Sequence, residues 1–243
     1  MMVTKKQKSS AQLQNSHYRS ARFGGFLREA IFGANDGLVT TTALIAGLYG
    51  AALSSRIVIL GSLAEVVGGS ISMALGTYIS IKSQIEYYQN ETKREKRHIK
   101  EFPELEREEI KRIYAQKGFS GRILSKLVYH LTSNKRRWLS VVLREGLGLA
   151  PERFERPRTA ALTIGMSYVA IGFLPVIPFF FFPAVSALFF SLSLAALLFF
   201  FGGSLKSIVI GKRWFVGGFE VFFIGAIASV ASYFAGAIIS GLI

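Results

Sequence analysis

Cysteine is absent from the chain. That excludes disulfides, thiolate metal sites and thiol catalysis. Histidine is scarce: the three are His17, His98 and His130, and none lies in an apolar run. Neither a zinc hydrolase nor a Ser–His–Asp triad has the residues it needs, and the chain reads as no enzyme. Acid is scarce too, with 15 carboxylates against 29 lysines and arginines, and Asp36 is the only aspartate. No Gly-x-x-x-x-Gly-Lys-Ser/Thr loop occurs, so transport driven by an ATPase of its own is not expected. Strand alternation and tandem repeats are also lacking. Any metal site must draw on carboxylate, imidazole, thioether, amide or backbone groups.

What is abundant is apolar sequence, 51% of the 243 residues. A helix crosses a bilayer in about 20 apolar residues, and five windows meet that length. They run from about Ile31 to Leu53, Ile57 to Ile81, Ala160 to Phe180, Phe182 to Phe201 and Trp214 to Ile243. The expected fold class is therefore all-α, a polytopic membrane protein with five transmembrane helices and a helical insert. Its parts are an N-terminal arm (1–30), spans one and two (31–81), the insert (82–158) and spans three to five (159–243). Ser54 to Arg56 and Pro183 make tight links, so spans one and two, and three and four, form antiparallel hairpins.

The net charge of +14 would point to nucleic acid in a soluble protein. Here it gives orientation instead, and no nucleic-acid partner is expected. With five spans, all the lysines and arginines except Arg56 fall on one side, which must be the cytosol. The N-terminus is then cytosolic and Ile243 lies opposite. The first residues hold Lys5, Lys6, Lys8, Arg19, Arg22 and Arg28 with no apolar core before a cleavage site, so they read as a cytosolic arm and not a signal peptide. The membrane expected is the plasma membrane of a prokaryote.

Within the insert, span two continues as a helix rich in Glu, Gln, Lys and Arg, good helix formers. It should end before Pro103, since the residue before proline disfavours α geometry. Further helices fit Glu104 to Lys117, Gly121 to about His130, and Lys135 to Glu145.

Ionisable groups inside a bilayer are costly and mark function by default. Three qualify: Asp36, Glu65 and Glu220. Asp36 lies in Gly33-Ala34-Asn35-Asp36-Gly37, where it is either a functional carboxylate or an interfacial cap. Asp36, Glu65 and Glu220 are the proton-coupling candidates, Glu65 ahead of Glu220, which lies near the cytosolic end of its span and can reach water or Arg213. Met73 is packing by default, but if spans one and two pair, Asp36 and Met73 can face one pathway. A carboxylate with a thioether suits late first-row divalent metals better than Mg²⁺ or Ca²⁺. In the insert, Glu91, Glu95 and His98 share one helix face, Glu106 and Glu109 share the next, and Pro103 turns the chain between them. This is either a site for Fe²⁺, Mn²⁺ or Zn²⁺ or, given the interleaved Lys and Arg, a solvated face.

The segment Arg28-Glu29-Ala30-Ile31-Phe32-Gly33-Ala34-Asn35-Asp36-Gly37-Leu38-Val39 resembles the first-span signature of the vacuolar iron transporter and cross-complementer-of-calcium family. Ser72-Met73-Ala74 with Gly76, Tyr78 and Ser80 is similar to its second. Pro103, Glu106, Glu109-Ile110 and Ile113-Tyr114 resemble its cytosolic domain, as do Trp138 and Gly148-Leu149. Leu174-Pro175 with Pro178, and Gly225-Ala226 with Tyr233, are similar to its third and fifth spans. The resemblance implies a five-span homodimer in membrane lipid that exchanges cytosolic Fe²⁺ for protons. It implies that Asp36 and Met73 line the path and that Glu95, Glu106 and Glu109 bind metal. The expected function is a transporter moving Fe²⁺ or Mn²⁺ out of the cytosol by proton antiport, with no tightly bound cofactor. The alternative is a non-transporting metal-binding or regulatory membrane protein of the same fold.

The sequence departs from the family pattern at several places. Thr77 stands where the family has Glu after the second-span Gly, and His98 replaces a glutamate. Val142, Leu143 and Gly146 stand where a Met pair and a Glu are usual, with Glu145 one residue away. His98 can still ligate, and the altered set shifts the expected preference towards Zn²⁺ or Mn²⁺.

Overall fold

The computed structural model describes the backbone of residues 2–149 and 156–242, and the side chains of 24–149 and 156–242. Every regular element among the described residues is a helix or helical turn, with no strand among them. Helix α1 spans Met2–Gly50 and α2 Ser55–Glu101. Then come α3 (Pro103–Gln116), α4 (Gly121–Thr132) and α5 (Lys135–Val141), the last continued by a π turn over Val142–Gly146. After these follow α6 (Pro157–Gly172), a 3₁₀ turn at Leu174–Val176, α7 (Pro178–Phe181), α8 (Ala184–Ile210) and α9 (Trp214–Leu242). The basic side chains at positions 5, 6, 8, 19 and 22 of the expected arm lie outside the described residues.

Five helical segments are long and apolar enough to cross a membrane: Gly24–Gly50, Ser55–Glu101, Pro157–Phe181, Ala184–Ile210 and Trp214–Leu242. The five expected spans correspond to these. The chain divides into two compact units, Met1–Tyr78 with Pro157–Ile243, and Ile79–Arg156. Helix α2 contributes residues to both.

In the first unit the α1–α2 link is tight because Ala52 takes a left-handed φ of 57° and the Ser54 carbonyl accepts from the Ile57 and Val58 amides. Close helix crossings rest on small residues, as membrane helix packing requires. A Cβ at Gly33 or Gly37 would strike the carbonyls of Ile164 and Tyr168 on α6. Gly203 on α8 and Gly217 on α9 meet backbone to backbone in the same way. Ile45, Val58, Val176, Phe179 and Ala187 fill one layer of the core; Leu38, Ala195, Phe199 and Val221 fill another.

The third span is not one uninterrupted helix. Pro175 and Pro178 cannot donate to the preceding carbonyls, so α6 stops at Gly172 and short turns complete the crossing. The fourth span runs past Phe201 to Ile210, because Gly202 and Gly203 stay helical and Gly203 admits α9.

In the second unit α2 ends at Glu101 and α3 starts at Pro103. Proline is at home there, since the first turn of a helix lacks amide acceptors anyway. Ile99, Ile110, Leu124, Val128, Trp138 and Val142 form one core. Asn134 caps α5, its side chain accepting from the Arg136 and Arg137 amides.

Candidate metal and proton sites

Each unit carries its own cluster of ionisable groups. In the membrane unit Asp36 sits on α1, four residues before Thr40 and between Gly33 and Gly37, whose missing side chains let α6 approach. Asp36 and Glu65 are both half-buried, and they lie within electrostatic range of each other.

Glu65 is directed into the protein. The Tyr168 hydroxyl donates to its Oε1 at 2.5 Å and Thr41 Oγ1 donates to its Oε2 at 3.3 Å. Tyr168 is 1% exposed and Thr41 wholly buried. Tyr168 also contacts Thr40 Oγ1 at 2.6 Å. Gly69, one turn past Glu65, leaves the room this needs: a Cβ there would collide with the Tyr168 hydroxyl and lie 2.8 Å from Glu65 Oε1.

Met73, two turns beyond Glu65 on α2, is half-buried. Glu220 on α9 is exposed and has no ion pair to Arg213 among the described contacts. The structure thus brings Asp36 and Glu65 within electrostatic range of each other.

In the insert unit the face expected on α2 is buried rather than solvated. Glu91, Glu95 and Glu106 are 8%, 4% and 6% exposed. The interleaved cations are what make this tolerable. Arg94, half in solvent, reaches Glu91 at 3.0 Å and Glu95 at 3.3 Å. Its long aliphatic stem lets it pair with carboxylates buried beside it while the head stays wet.

Across the Pro103 turn, His98 Nδ1 lies 3.5 Å from Glu106 Oε1 and 4.0 Å from Glu95 Oε2. The ligand atoms of Glu95, His98 and Glu106 all fall within 4.8 Å of one another. A tetrahedral ion with bonds of about 2.1 Å separates its ligands by roughly 3.4 Å, so small side-chain rotations would close the set. Glu106 Oε2 is buried without a hydrogen-bond partner, whereas Glu91 Oε2 has the Arg94 guanidinium 3.0 Å away. Such orphaned acceptors are costly unless a cation compensates them.

Burial pushes the Glu106 carboxyl above its usual range, and the neighbouring Glu95 and Glu109 carboxylates add to this while His98 opposes it. Glu109 is half-buried and points towards Gly146, where a Cβ would lie 3.6 Å from its Oε1. Val142 and Leu143 are buried at 2% and 3% exposure, Val142 within the apolar core.

Sequence reasoning missed Tyr168, Thr40, Thr41 and Gly69. Hydroxyl residues and a tyrosine in apolar runs carry no helical signature of their own. Tyr168 is 103 residues from the carboxylate it serves.

A protein-family model described as the VIT family matches residues 27–237. The chain is 38% identical over 220 residues to vacuolar iron transporter 1 of Arabidopsis thaliana, covering 89% of this chain and 88% of that protein. It is 38% identical over 229 residues to vacuolar iron transporter 1 of Oryza sativa subsp. japonica, covering 92% and 90%. With protein CCC1 of Saccharomyces cerevisiae it shares 31% over 217 residues, covering 86% of this chain and 67% of that one.

Proposed function

The chain belongs to the VIT family, a family of transporters and not of enzymes, and from that premise we propose that it carries Fe²⁺ out of the cytosol in exchange for protons. Mn²⁺ is the second ion that the ligand chemistry admits. The observation that carries this reading is the pair of carboxylates, Asp36 and Glu65, held half-buried and within electrostatic range of each other among the membrane-length helices. Carboxylates at such depth are retained for ions or protons.

In this reading Asp36 and Met73 contact the metal along its path. The hard oxygen and soft sulfur together favour a late first-row dication over Mg²⁺. Glu65 carries the exchanged proton. Glu220, exposed on α9, is the weakest of the three carboxylate candidates. Glu95, His98, Glu106 and Glu109 capture the ion on the cytosolic side, binding Fe²⁺, Mn²⁺ or Zn²⁺. The homodimer implied by the family pattern is part of the proposal. Export across a plasma membrane and loading of a vacuole are the same movement relative to the cytosol.

The test is uptake of Fe²⁺ and Mn²⁺ by purified protein in liposomes under a proton gradient. Wild type is expected to accumulate metal with an opposing proton flux. Asp36→Asn should lose uptake while keeping its folded, dimeric profile. Uptake by Asp36→Asn at the wild-type rate would remove Asp36 from the path.

A second reading, a metal-binding membrane protein that does not transport, is favoured by one observation. Val142 and Leu143 are packed as apolar side chains and Gly146 offers no ligand, so the insert has fewer donors than the family pattern. Saturable binding with no uptake in the same liposomes would select it.

A further inference from the structure

Part of the insert carries charge of one sign only. No carboxylate occurs from Ile110 to Arg144, a stretch that holds nine lysines and arginines. Scattered cations on helices are ordinarily solvated and need no partner. Three of the insert's cations are not scattered. Lys96, Arg136 and Arg144 converge on one groove of about 330 Å³, which lies wholly within the second unit and has no acidic residue in its lining. Among the described residues neither Lys96 nor Arg136 has an ion pair. The neighbouring acids are engaged elsewhere: Glu91 and Glu95 with Arg94, Glu104 with Arg107, Glu108 with Lys111 and Glu145 with Lys117.

Two rows of side chains build the groove. Tyr88, Thr92 and Lys96 recur every four residues along α2, and Arg136, Ser140 and Arg144 recur every four along α5 and its π turn. Residues so spaced share one helix face. Leu143, 3% exposed, lies between the rows. Leu149 folds back beside it, its amide donating to the Leu143 carbonyl at 2.8 Å, and the φ of 67° at Gly148 makes that reversal. Thr92 turns its hydroxyl proton to the Tyr88 carbonyl at 2.7 Å, whereas the Ser140 hydroxyl has no partner among the described residues. The α2 row lies about a quarter-turn round the helix from Glu91, Glu95 and His98, so the groove and the carboxylate cluster occupy different faces.

We propose that this groove is a binding site for a phosphate monoester, held by Lys96, Arg136 and Arg144 with Ser140 as a neutral donor. The volume falls at the lower end of small-ligand sites. A monoester carries about −1.5 to −2 charge at neutral pH and three acceptor oxygens, which matches two guanidinium forks and an ammonium better than a singly charged carboxylate does. The leucines keep water from one side of the charges, which strengthens charge-assisted hydrogen bonds, and with Tyr88 they suit the carbon skeleton that an ester brings. Such a group comes either on a lipid headgroup or on a soluble ester. The proposal is independent of the transport reading.

The experiment is calorimetric titration of the full-length protein in detergent at neutral pH, without metal. Glycerol 3-phosphate and dioctanoyl phosphatidic acid are the two probes; they present the same monoester with and without acyl chains. Dioctanoyl phosphatidylglycerol, a singly charged diester, is the control. Saturable binding of at least one monoester is expected, with the diester at least tenfold weaker. Binding of both monoesters identifies a soluble source as sufficient, and binding of phosphatidic acid alone identifies the lipid. Lys96→Gln and Arg136→Gln should each weaken binding roughly tenfold or more, the usual effect of losing a charged hydrogen bond. Lys96→Arg should retain it. Arg122→Gln, an equal loss of charge on α4 outside the groove, should leave it unchanged.

No saturable binding of either monoester overturns the site. Equal affinity for the diester overturns the assignment to a monoester, and equal weakening by Arg122→Gln reduces the groove to one part of a general positive field. Lys96 and Arg136 are exposed, so their replacement leaves the insert core intact, and an unchanged elution profile and helical content verify this for each variant. Metal flux plays no part in the measurement. A protein that binds the monoester but moves no Fe²⁺ would overturn the transport reading and leave this site standing, and the reverse result would do the opposite.

Discussion

Glu106 is buried, with one oxygen towards His98 and the other without a partner. Its raised pKa has a definite consequence for stability. The folded state holds this proton more tightly than the unfolded chain, whose value is the usual 4.5. The stabilisation is complete below that value and is lost as pH rises through the higher folded one. At neutral pH the ionised side chain is therefore a net cost in the metal-free protein. Glu106→Gln is expected to raise the melting temperature of the metal-free protein at pH 7. The difference should vanish towards pH 4, and the same variant should bind Fe²⁺ or Zn²⁺ more weakly. Thermal melts across that range, with and without metal, check both signs. At Met73 the comparison is with leucine, which conserves volume and apolarity at a cost usually below about 1.5 kcal/mol. Met73→Leu should fold normally yet weaken Fe²⁺ and Mn²⁺ uptake; unchanged kinetics for both metals would make Met73 a packing residue.

At the scale of elements, the glycines of the membrane unit are not equivalent. Gly33 has the carbonyl of Ile164 where its Cβ would be, and neither backbone can give without separating α1 from α6. Gly68 on α2 has nothing within 4 Å of that position. Gly33→Ala should therefore cost about 1–3 kcal/mol through overpacking. Gly68→Ala should be neutral, or stabilising by up to about 1 kcal/mol through helix propensity. Thermal unfolding of the detergent-solubilised protein separates the two. Equal effects would mean that the α1–α6 crossing is looser than its geometry indicates. Helix α2 shows a different division of labour. Its first half is apolar and carries Glu65 and Met73. Its second half carries Glu91, Glu95 and His98 on the face that packs into the insert core.

For the molecule as a whole, the absence of cysteine turns a composition fact into an experimental handle. Single cysteines can be placed in an otherwise thiol-free chain and labelled from one side of the membrane. In the proposed orientation, argued from the distribution of lysine and arginine, the 211–213 turn and the insert are cytosolic and the 51–54 turn lies opposite. Lys212→Cys and Lys126→Cys should react with an impermeant maleimide only from the cytosolic face, and Ser54→Cys only from the other. Labelling of Ser54→Cys and Lys212→Cys from the same side would contradict the three crossings, by the second, third and fourth spans, that lie between them.

The sequence by itself determined the elements and their order. Five apolar stretches of bilayer length have no stable alternative to helices, because unpaired backbone groups are too costly in lipid. Pro103 had to end α2, and the spacing of Glu91, Glu95 and His98 had to place them on one helix face. It did not determine which face of that helix is buried. The same residues read equally as a solvated stripe, and only packing around Ile99, Ile110 and Trp138 turned the carboxylates inward. Nor did it fix how far the third and fourth spans run as unbroken helix. That depended on whether Pro175 and Gly203 found partners on neighbouring helices. The Glu65–Tyr168–Thr40 chain lay wholly beyond reach of the sequence. Its members come from three helices and have no common period, and hydroxyl groups become informative only when the fold sets them 2.5–2.8 Å apart. Local periodicity records where a side chain points on its own helix. What it meets there is decided by the neighbouring helix, at a distance in sequence that no local pattern spans.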